Sequence, residues 1–339
     1  MSVIRNKHFK TTLFTLLGIG ILYLVFRNVS FDSVWQAASK AHLPWILMAM
    51  AIGILGHWIR GARWVLMLRS MSYKPNYYPA FLSVIAGYFI NLAIPRAGEI
   101  SRCGLMSNVS GIPVQKLIGT VVTERIIDLI MTVIIVFLVL LIQFETLFHF
   151  TQTWLFTPLQ ERFSSLLNNP GWLIPASFIA LSMFFLVVFF LKKARRKERG
   201  QNRIILFLMG IGEGVRSIFK LKSPVLFIVQ TVAIWTTYLG STYCIIRAFD
   251  FASDLHLGSA LSVLLFSTIG VIVPAPGGVG SIWTTQNGLM EIYAFPESQA
   301  TALASVLFFT QVVGFVILGI FALIQLGMLK NKRNEASGI

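Results

Sequence analysis

Apolar runs of about 20 residues recur along nearly the whole chain, and they limit its possible folds more than any other feature. A helix crosses the hydrocarbon core of a bilayer in about 20 residues. Six runs meet or approach that length: 9–26, 43–59, 117–142, 172–191, 224–246 and 299–328. Of the 339 residues, 56% are hydrophobic and 12% are charged, and no polar stretch between the runs is long enough for a soluble domain. The sequence therefore predicts a single all-α, multi-pass membrane domain over residues 1–339.

Two further apolar stretches, 80–94 and 257–275, are shorter, and each ends in a motif rich in proline and glycine. The motifs are NLAIPRAGE at 91–99 and VPAPGGVG at 273–280. Proline removes a backbone donor and glycine frees φ, so each motif predicts a break in a helix. The residues predicted to make these breaks are Pro95, Gly98, Pro274, Pro276, Gly277, Gly278 and Gly280. The segments 80–116 and 257–298, which contain these stretches, are each expected to form a broken helical hairpin, either re-entrant or fully spanning, giving about eight membrane segments with the six spans. In transporters, opposed broken helices mark a binding site near the bilayer midplane.

Lysine and arginine clusters predict the orientation, because cytoplasmic loops carry an excess of them. Basic residues precede the first span, KKARRKER lies at 192–199 and KNKR at 330–333. Both termini are therefore expected in the cytoplasm, with a basic loop at 191–223, an interfacial helix at about 204–222, and a tail at 330–339. The net charge of +15 fits anionic lipid headgroups better than nucleic acid. The first run lacks a small-residue cleavage site, so we expect an uncleaved span in the inner (cytoplasmic) membrane.

Ionisable side chains inside apolar helices are expensive, and they are therefore candidates for function. Glu99 and Arg102 are three residues apart, while Glu124 and Asp128 share one face of a predicted helix beside Arg125. Arginine forks match phosphate oxygens, and neighbouring carboxylates can hold the forks in place. The predicted headgroup-binding or translocation residues are Asn91, Arg96, Glu99, Arg102, Glu124, Arg125 and Asp128. A purely structural role stays open, in which Glu99 pairs with Arg125, or Arg102 with Asp128, and locks two helices together.

Other polar residues are given less specific roles. Arg60, Arg63 and Trp64 follow the second apolar run, and we expect them to be anchors that snorkel to the cytoplasmic interface. Cys103 and Cys244 are isolated and are expected to be packing residues. The five histidines are scattered, and the chain has no nucleotide-binding or hydrolase motif. We therefore expect no metal, no cofactor and no catalytic residues.

Three motifs, in order, resemble the transmembrane-domain family of lysylphosphatidylglycerol synthases, also called the flippase-like family. They are GYFINLAIPRAGEISRCGLM at 87–106, TERIIDLI at 123–130 and PAPGGVGS at 274–281. The asparagine, proline, glycine and charged positions of the family pattern fall on Asn91, Pro95, Gly98, Glu99, Arg102, Glu124, Arg125 and Asp128. One position departs, because many members carry Glu where this chain has Trp283. The resemblance implies the lipid-translocating half alone, without the soluble aminoacyl-transferase domain of bifunctional members.

Three hypotheses of function follow. The first is a transporter that moves a phosphate-bearing lipid headgroup between leaflets, with membrane lipids as its partners. The second is a membrane-embedded transferase, in which Glu99 or Glu124 is the base, and a Glu→Gln change would then abolish product formation. The third is a scaffold for an envelope enzyme, which would copurify with a stable partner and tolerate changes at Arg102 and Arg125.

Overall fold

A computed structural model describes residue 39 and residues 41–94, 96–144, 216–272 and 280–337. Those residues are predominantly helical and contain no strand. The α-helices there are α1 (Leu43–Ser70), α2 (Tyr77–Ala93), α3 (Ala97–Ser110), α4 (Val114–Ile142), α5 (Pro224–Arg247), α6 (Leu257–Ile272), α7 (Gly280–Tyr293) and α8 (Glu297–Ser337). Short 3₁₀ helices lie at Ser217–Lys220 and Asp250–Ala252. The predicted spans 9–26 and 172–191 lie outside the described residues, as does most of the predicted interfacial helix.

Four helices, α1, α4, α5 and α8, are long and apolar enough to cross a bilayer. They confirm the spans predicted at 43–59, 117–142, 224–246 and 299–328. One face of α4 leaves Leu129, Val133, Phe137 and Leu141 more than half exposed at a spacing of four residues, as expected for a stripe that faces lipid. The chain is a multi-pass α-helical membrane protein. The total number of crossings and the cytoplasmic position of the termini stay predictions.

Proline and glycine set several helix boundaries. Pro44 and Pro224 lie in the first turns of α1 and α5. The backbone N–H groups of a first turn have no partner within the helix, so a proline there costs no hydrogen bond. Gly111 ends α3 in the left-handed conformation with φ of 76°, and its N–H donates to the Ser107 carbonyl at 2.8 Å. Pro113 follows at the start of α4. The sharp turn between these residues brings α4 back beside α3.

The first predicted hairpin is formed by α2 and α3, which run antiparallel in close contact. Asn91 contacts Gly98 near the turn, and Ser83 contacts Met106 farther from it. Residues that precede the turn thus pair with residues that follow it, as in an antiparallel pair of helices. A Cβ placed on Gly87 would come within 2.9 Å of the Gly98 carbonyl oxygen. This approach needs glycine on both helices, and it fixes the register of α3 against α2.

The second predicted hairpin is formed by α6 and α7 in the same antiparallel way. The Thr284 hydroxyl donates to the Phe266 carbonyl at 2.8 Å, and a Cβ on Gly270 would lie 2.5 Å from the carbonyl oxygen of Gly280. The four hairpin helices have 14 to 17 residues, fewer than the roughly 20 of a full crossing. The structure therefore confirms two hairpins of short helices. Whether each one re-enters or spans stays a prediction.

The position of α1 determines where the charged residues meet. It packs along α5, where the Ser241 hydroxyl donates to the Ala49 carbonyl at 2.9 Å, and a Cβ on Gly61 would lie 3.0 Å from the backbone of Phe81 on α2. Helices α4 and α8 also contact α1. Its last turns are thus enclosed by the hairpin and by α4.

Candidate functional site

Seven charged side chains from three helices lie together beside the first hairpin, and we call them the arginine cluster. They are Arg60 and Arg63 of α1, Glu99 and Arg102 of α3, and Glu124, Arg125 and Asp128 of α4. The i,i+4 spacing on α4 places two of its carboxylates on one face, as the sequence predicts. The antiparallel turn into α4 then brings that face against α3 and α1. Five of the predicted site residues are therefore brought together.

Asp128 is the centre of the cluster, because it contacts three arginines. Its Oδ2 accepts from Arg60 Nη1 at 2.9 Å, and its Oδ1 accepts from Arg63 Nη2 at 3.3 Å. Arg125 Nη2 lies 3.5 Å from Oδ2. Thr231 of α5 accepts a further hydrogen bond from Arg63 at 3.1 Å. One carboxylate thus holds the guanidinium groups of α1 against α4.

The deepest part of the cluster is the pair formed by Arg102 and Glu124. Arg102 donates to Glu124 Oε2, and the side chain of Glu124 is fully buried. The Arg102 guanidinium lies 4.9 Å from the centre of the Trp64 ring, within cation–π range. Trp64 is itself held by a 2.8 Å hydrogen bond from its indole N–H to Thr120. The pair is therefore fixed from two sides by α1 and α4.

The mouth of the cluster is the pair formed by Glu99 and Arg125. Arg125 Nε lies 3.1 Å from Glu99 Oε1, and these side chains are 43% exposed for Arg125 and 38% exposed for Glu99. The Arg63 and Glu124 side chains, by contrast, are fully buried. Glu99 lies in the first turn of α3, where the helix dipole favours a negative charge. The cluster therefore leads from an accessible rim to an enclosed floor.

The cluster carries more positive charge than negative. Four arginines face three carboxylates, and the surplus persists in the buried part, where Arg60, Arg63 and Arg102 face Glu124 and Asp128. Among the residues that the structure describes, two buried donors of the cluster, Nε of Arg63 and Nε of Arg102, and one buried acceptor, Oε1 of Glu124, have no hydrogen-bond partner. Buried donors and charges are normally satisfied. The arrangement can therefore bind an anion that carries one negative charge.

Two expectations from the sequence are wrong. Arg60, Arg63 and Trp64 are not interfacial anchors, because α1 continues to Ser70 and all three side chains are buried. The pattern Arg-x-x-Arg-Trp inside one helix is the signal that could have placed both arginines on the face turned to α4. The alternative pairing of Arg102 with Asp128 is also wrong, since Arg102 pairs with Glu124. Glu99 does pair with Arg125.

The remaining predicted residues belong to the hairpin turns. Asn91 Oδ1 accepts from the Gly98 N–H at 2.7 Å, so this side chain ties the end of α2 to the first turn of α3. Arg96 lies exposed between the two helices with φ of 66°, a conformation that is costly for a residue with a Cβ. Gly280 begins α7. The other hairpin-break residues, Pro95, Pro274, Pro276, Gly277 and Gly278, lie outside the described residues.

Known protein sequences are similar to this chain, whereas no solved structure is. The sequence profile described as the lysylphosphatidylglycerol synthase TM region matches residues 12–319. A UPF0104 membrane protein of Methanocaldococcus jannaschii is 23% identical, over 99% of this chain and 100% of that relative. No solved structure matches the chain. The profile covers both hairpins and the whole arginine cluster, and the chain belongs to the family of the lysylphosphatidylglycerol synthase transmembrane region.

Proposed function

We propose that the chain moves the phosphate-bearing headgroup of a lipid from one leaflet of the membrane to the other. The observation that carries this proposal is the surplus of one positive charge in the buried part of the arginine cluster. A phosphodiester carries one negative charge, and arginine forks bind its oxygens with charge-assisted hydrogen bonds. A bound phosphodiester would neutralise the surplus. Membership of a family named for a lipid synthase supports a lipid as the cargo.

The gradient of exposure supports a path for the headgroup. Arg125 is shared between Glu99 at the rim and Asp128 inside, and its contact with Asp128 is the longest in the cluster at 3.5 Å. An incoming phosphate takes over this guanidinium and draws it away from Asp128. The unpartnered Nε donors of Arg63 and Arg102 then meet the phosphate deeper in the cluster. The lipid tails stay in the bilayer, beside exposed apolar faces such as that of α4.

The two hairpins supply the polar surroundings that this movement needs. Helix ends within a bilayer leave backbone N–H and C=O groups without intrahelical partners, and such groups can replace the water around a headgroup. Arg96, which precedes α3, is next to the cluster in sequence, since Glu99 is in the first turn of that helix. We therefore assign the first hairpin to the headgroup path.

Headgroup movement in proteoliposomes tests the proposal. Purified protein is placed in phosphatidylcholine vesicles with trace fluorescent phosphatidylglycerol or a fluorescent polyprenyl phosphate, and dithionite quenches only the outer leaflet. Arg125→Gln is the informative variant, because the Arg125 side chain is nearly half exposed and we expect the variant to fold. Removing one hydrogen bond to a charged group costs about 1.5–3 kcal/mol, so the rate is expected to fall at least about tenfold. Arg69→Gln is the matched control, because Arg69 lies on α1 and contacts the Tyr77 hydroxyl instead of the cluster.

The outcomes separate the hypotheses of function. Movement of one lipid class that is slowed by Arg125→Gln and unchanged by Arg69→Gln supports headgroup transport through the cluster. Wild-type rates in both variants would show that the phosphate does not use Arg125. If folded wild-type protein moves no lipid faster than protein-free vesicles do, transport is rejected, and the transferase and scaffold hypotheses take its place.

A further inference from the structure

A buried histidine stands one helical turn before Arg60 and has no role in the arginine cluster. The ring of His57 is surrounded by the rings of Tyr88, Tyr238 and Phe315, with centroid distances of 4.7, 5.9 and 5.1 Å. These three rings come from α2, α5 and α8. Nδ1 of His57 is buried and has no hydrogen-bond partner in the part of the chain that the structure describes. A buried polar atom without a partner is uncommon in a folded protein, and it calls for a physical explanation.

His57 also lines a cavity between α1, α2, α5 and α8. The cavity has a volume of about 30 Å³, which holds about two water molecules at roughly 10–15 Å³ each. Ser241, Thr310 and Gln311 supply polar groups on its wall. Gln311 is exposed on α8, so the polar lining reaches the surface of the helix. Water that entered this cavity would give His57 a route for protons.

The same histidine is joined to the cluster through Arg60 and Tyr238. Arg60 donates from Nε to the Tyr238 hydroxyl at 3.2 Å and from Nη1 to Asp128 at 2.9 Å. The groups that face His57 are Arg60 on its own helix, Tyr88 on α2, Tyr238 on α5, and the neutral side chains of Phe315 and Gln311 on α8. Among the described residues, the charge nearest to the imidazole is therefore that of Arg60.

We infer that His57 binds the proton that accompanies the headgroup, so that one proton and one anionic headgroup occupy the protein together. The inference rests on the proposed function and names the ion that is coupled to it. The proton comes from bulk water through the cavity and forms an N–H bond at Nδ1. It returns to water when the headgroup leaves, and no other bond forms or breaks.

Electrostatics gives the sign of the coupling. With the cluster empty, a proton on His57 adds a positive charge next to Arg60 and the existing surplus. A bound phosphodiester cancels that surplus, so the anion and the proton each favour the other, and the effect is reciprocal. The loaded protein has gained one positive and one negative charge, so transport is electrically neutral.

Electrically neutral coupling predicts the direction of transport. A pH difference across the membrane drives the headgroup toward the alkaline side, because it travels with the proton. With one proton per headgroup, the ratio of lipid between the two leaflets reaches at most about tenfold per pH unit. A membrane potential without a pH difference has no effect on this ratio.

The test uses wild-type protein in phosphatidylcholine vesicles with trace fluorescent phosphatidylglycerol. The external pH is held constant, the interior is made one pH unit more acidic, and dithionite reports the fraction of label in the outer leaflet. We expect the ratio of label in the outer leaflet to label in the inner leaflet to rise severalfold. A protonophore should return this ratio to its starting value, and a potassium diffusion potential should leave it unchanged. His57→Gln is expected to move lipid without responding to the pH difference. His256→Gln, at an exposed histidine before α6, is the matched control.

Each outcome decides the inference. Lipid movement by the wild type that gives equal leaflets at every pH difference overturns proton coupling and leaves the proposed transport intact. A normal pH response in His57→Gln moves the proton site elsewhere and overturns the assignment. Absence of any lipid movement removes the transport function, and the inference falls with it. The wild-type measurement is decisive by itself if His57→Gln does not fold.

Discussion

Replacing Asp128 by Asn should destabilise the protein more than any other single change in the cluster. The carboxylate contacts Arg60, Arg63 and Arg125 at 2.9, 3.3 and 3.5 Å, and its side chain is 14% exposed. At an effective dielectric constant of about 20, each contact is worth about 4 kcal/mol before desolvation is subtracted. Removing one partner of a buried ion pair has a net effect of about 3–5 kcal/mol, because the other partner stays buried and unpaired. We expect a loss in the free energy of unfolding of that size.

Thermal unfolding in detergent can measure this loss with a thiol-reactive fluorogenic dye. Cys103 and Cys244 are the two cysteines of the chain, and both are buried and free, so the dye reports their exposure. At roughly 2–4 °C per kcal/mol, the midpoint of Asp128→Asn should fall by about 6–20 °C. Adding Arg60→Gln should recover part of the loss, because it removes one unpaired charge.

The control for this experiment is Glu99→Gln at the exposed mouth. Exposed ion pairs contribute about 0–1 kcal/mol, so its midpoint should stay within a few degrees of the wild type. Equal midpoints for Asp128→Asn and wild type would refute the argument that this carboxylate compensates the buried arginines. A larger fall of the midpoint in Glu99→Gln than in Asp128→Asn would show that Asp128 is not the centre of the cluster.

Two further changes test the packing around the cluster. Gly98→Ala should disrupt the first hairpin, because its Cβ would clash with the Gly87 carbonyl oxygen, and the thiol-dye midpoint should fall. Gly104→Ala is the control, because a Cβ there would meet no atom of another described element within 4 Å, and it should be neutral or stabilising by up to about 1 kcal/mol. Trp64→Phe removes the indole hydrogen bond to Thr120 and should lower the free energy of unfolding by about 1–3 kcal/mol in a chemical denaturation series; an unchanged value would show that this bond does not stabilise the floor of the cluster.

Hydropathy and the proline and glycine motifs were enough to predict the described long helices and both hairpins. A long run of apolar residues predicts a long helix, because lipid offers no hydrogen-bond partners and the backbone must form its hydrogen bonds within the segment. The end of α1 could not be placed in the same way. The sequence becomes polar at Arg60, which predicts an interface, yet the helix continues because Asp128, 68 residues later, compensates that charge.

Spacing along α4 predicted that Glu124, Arg125 and Asp128 act together, but spacing could not assign their partners. The partner of each carboxylate depends on the register of α3 against α4 and on the approach of α1. The register of the first hairpin is set by the contact of Gly87 with Gly98, which no helical period reveals. His57 was overlooked for a similar reason, since a single histidine in an apolar run gives no signal until the rings around it are placed.

The dependence of Arg60 and Arg63 on Asp128 has a consequence for biosynthesis. Ribosomes add about 5–20 residues per second, so Asp128 follows Arg60 by about 3–14 seconds. During that interval two arginines in the first half of the chain lack the carboxylate that later neutralises them, and each one opposes insertion by a few kcal/mol. We therefore expect α1 to stay at the translocon or at the membrane surface until α4 arrives, so that the two helices enter the lipid as a pair.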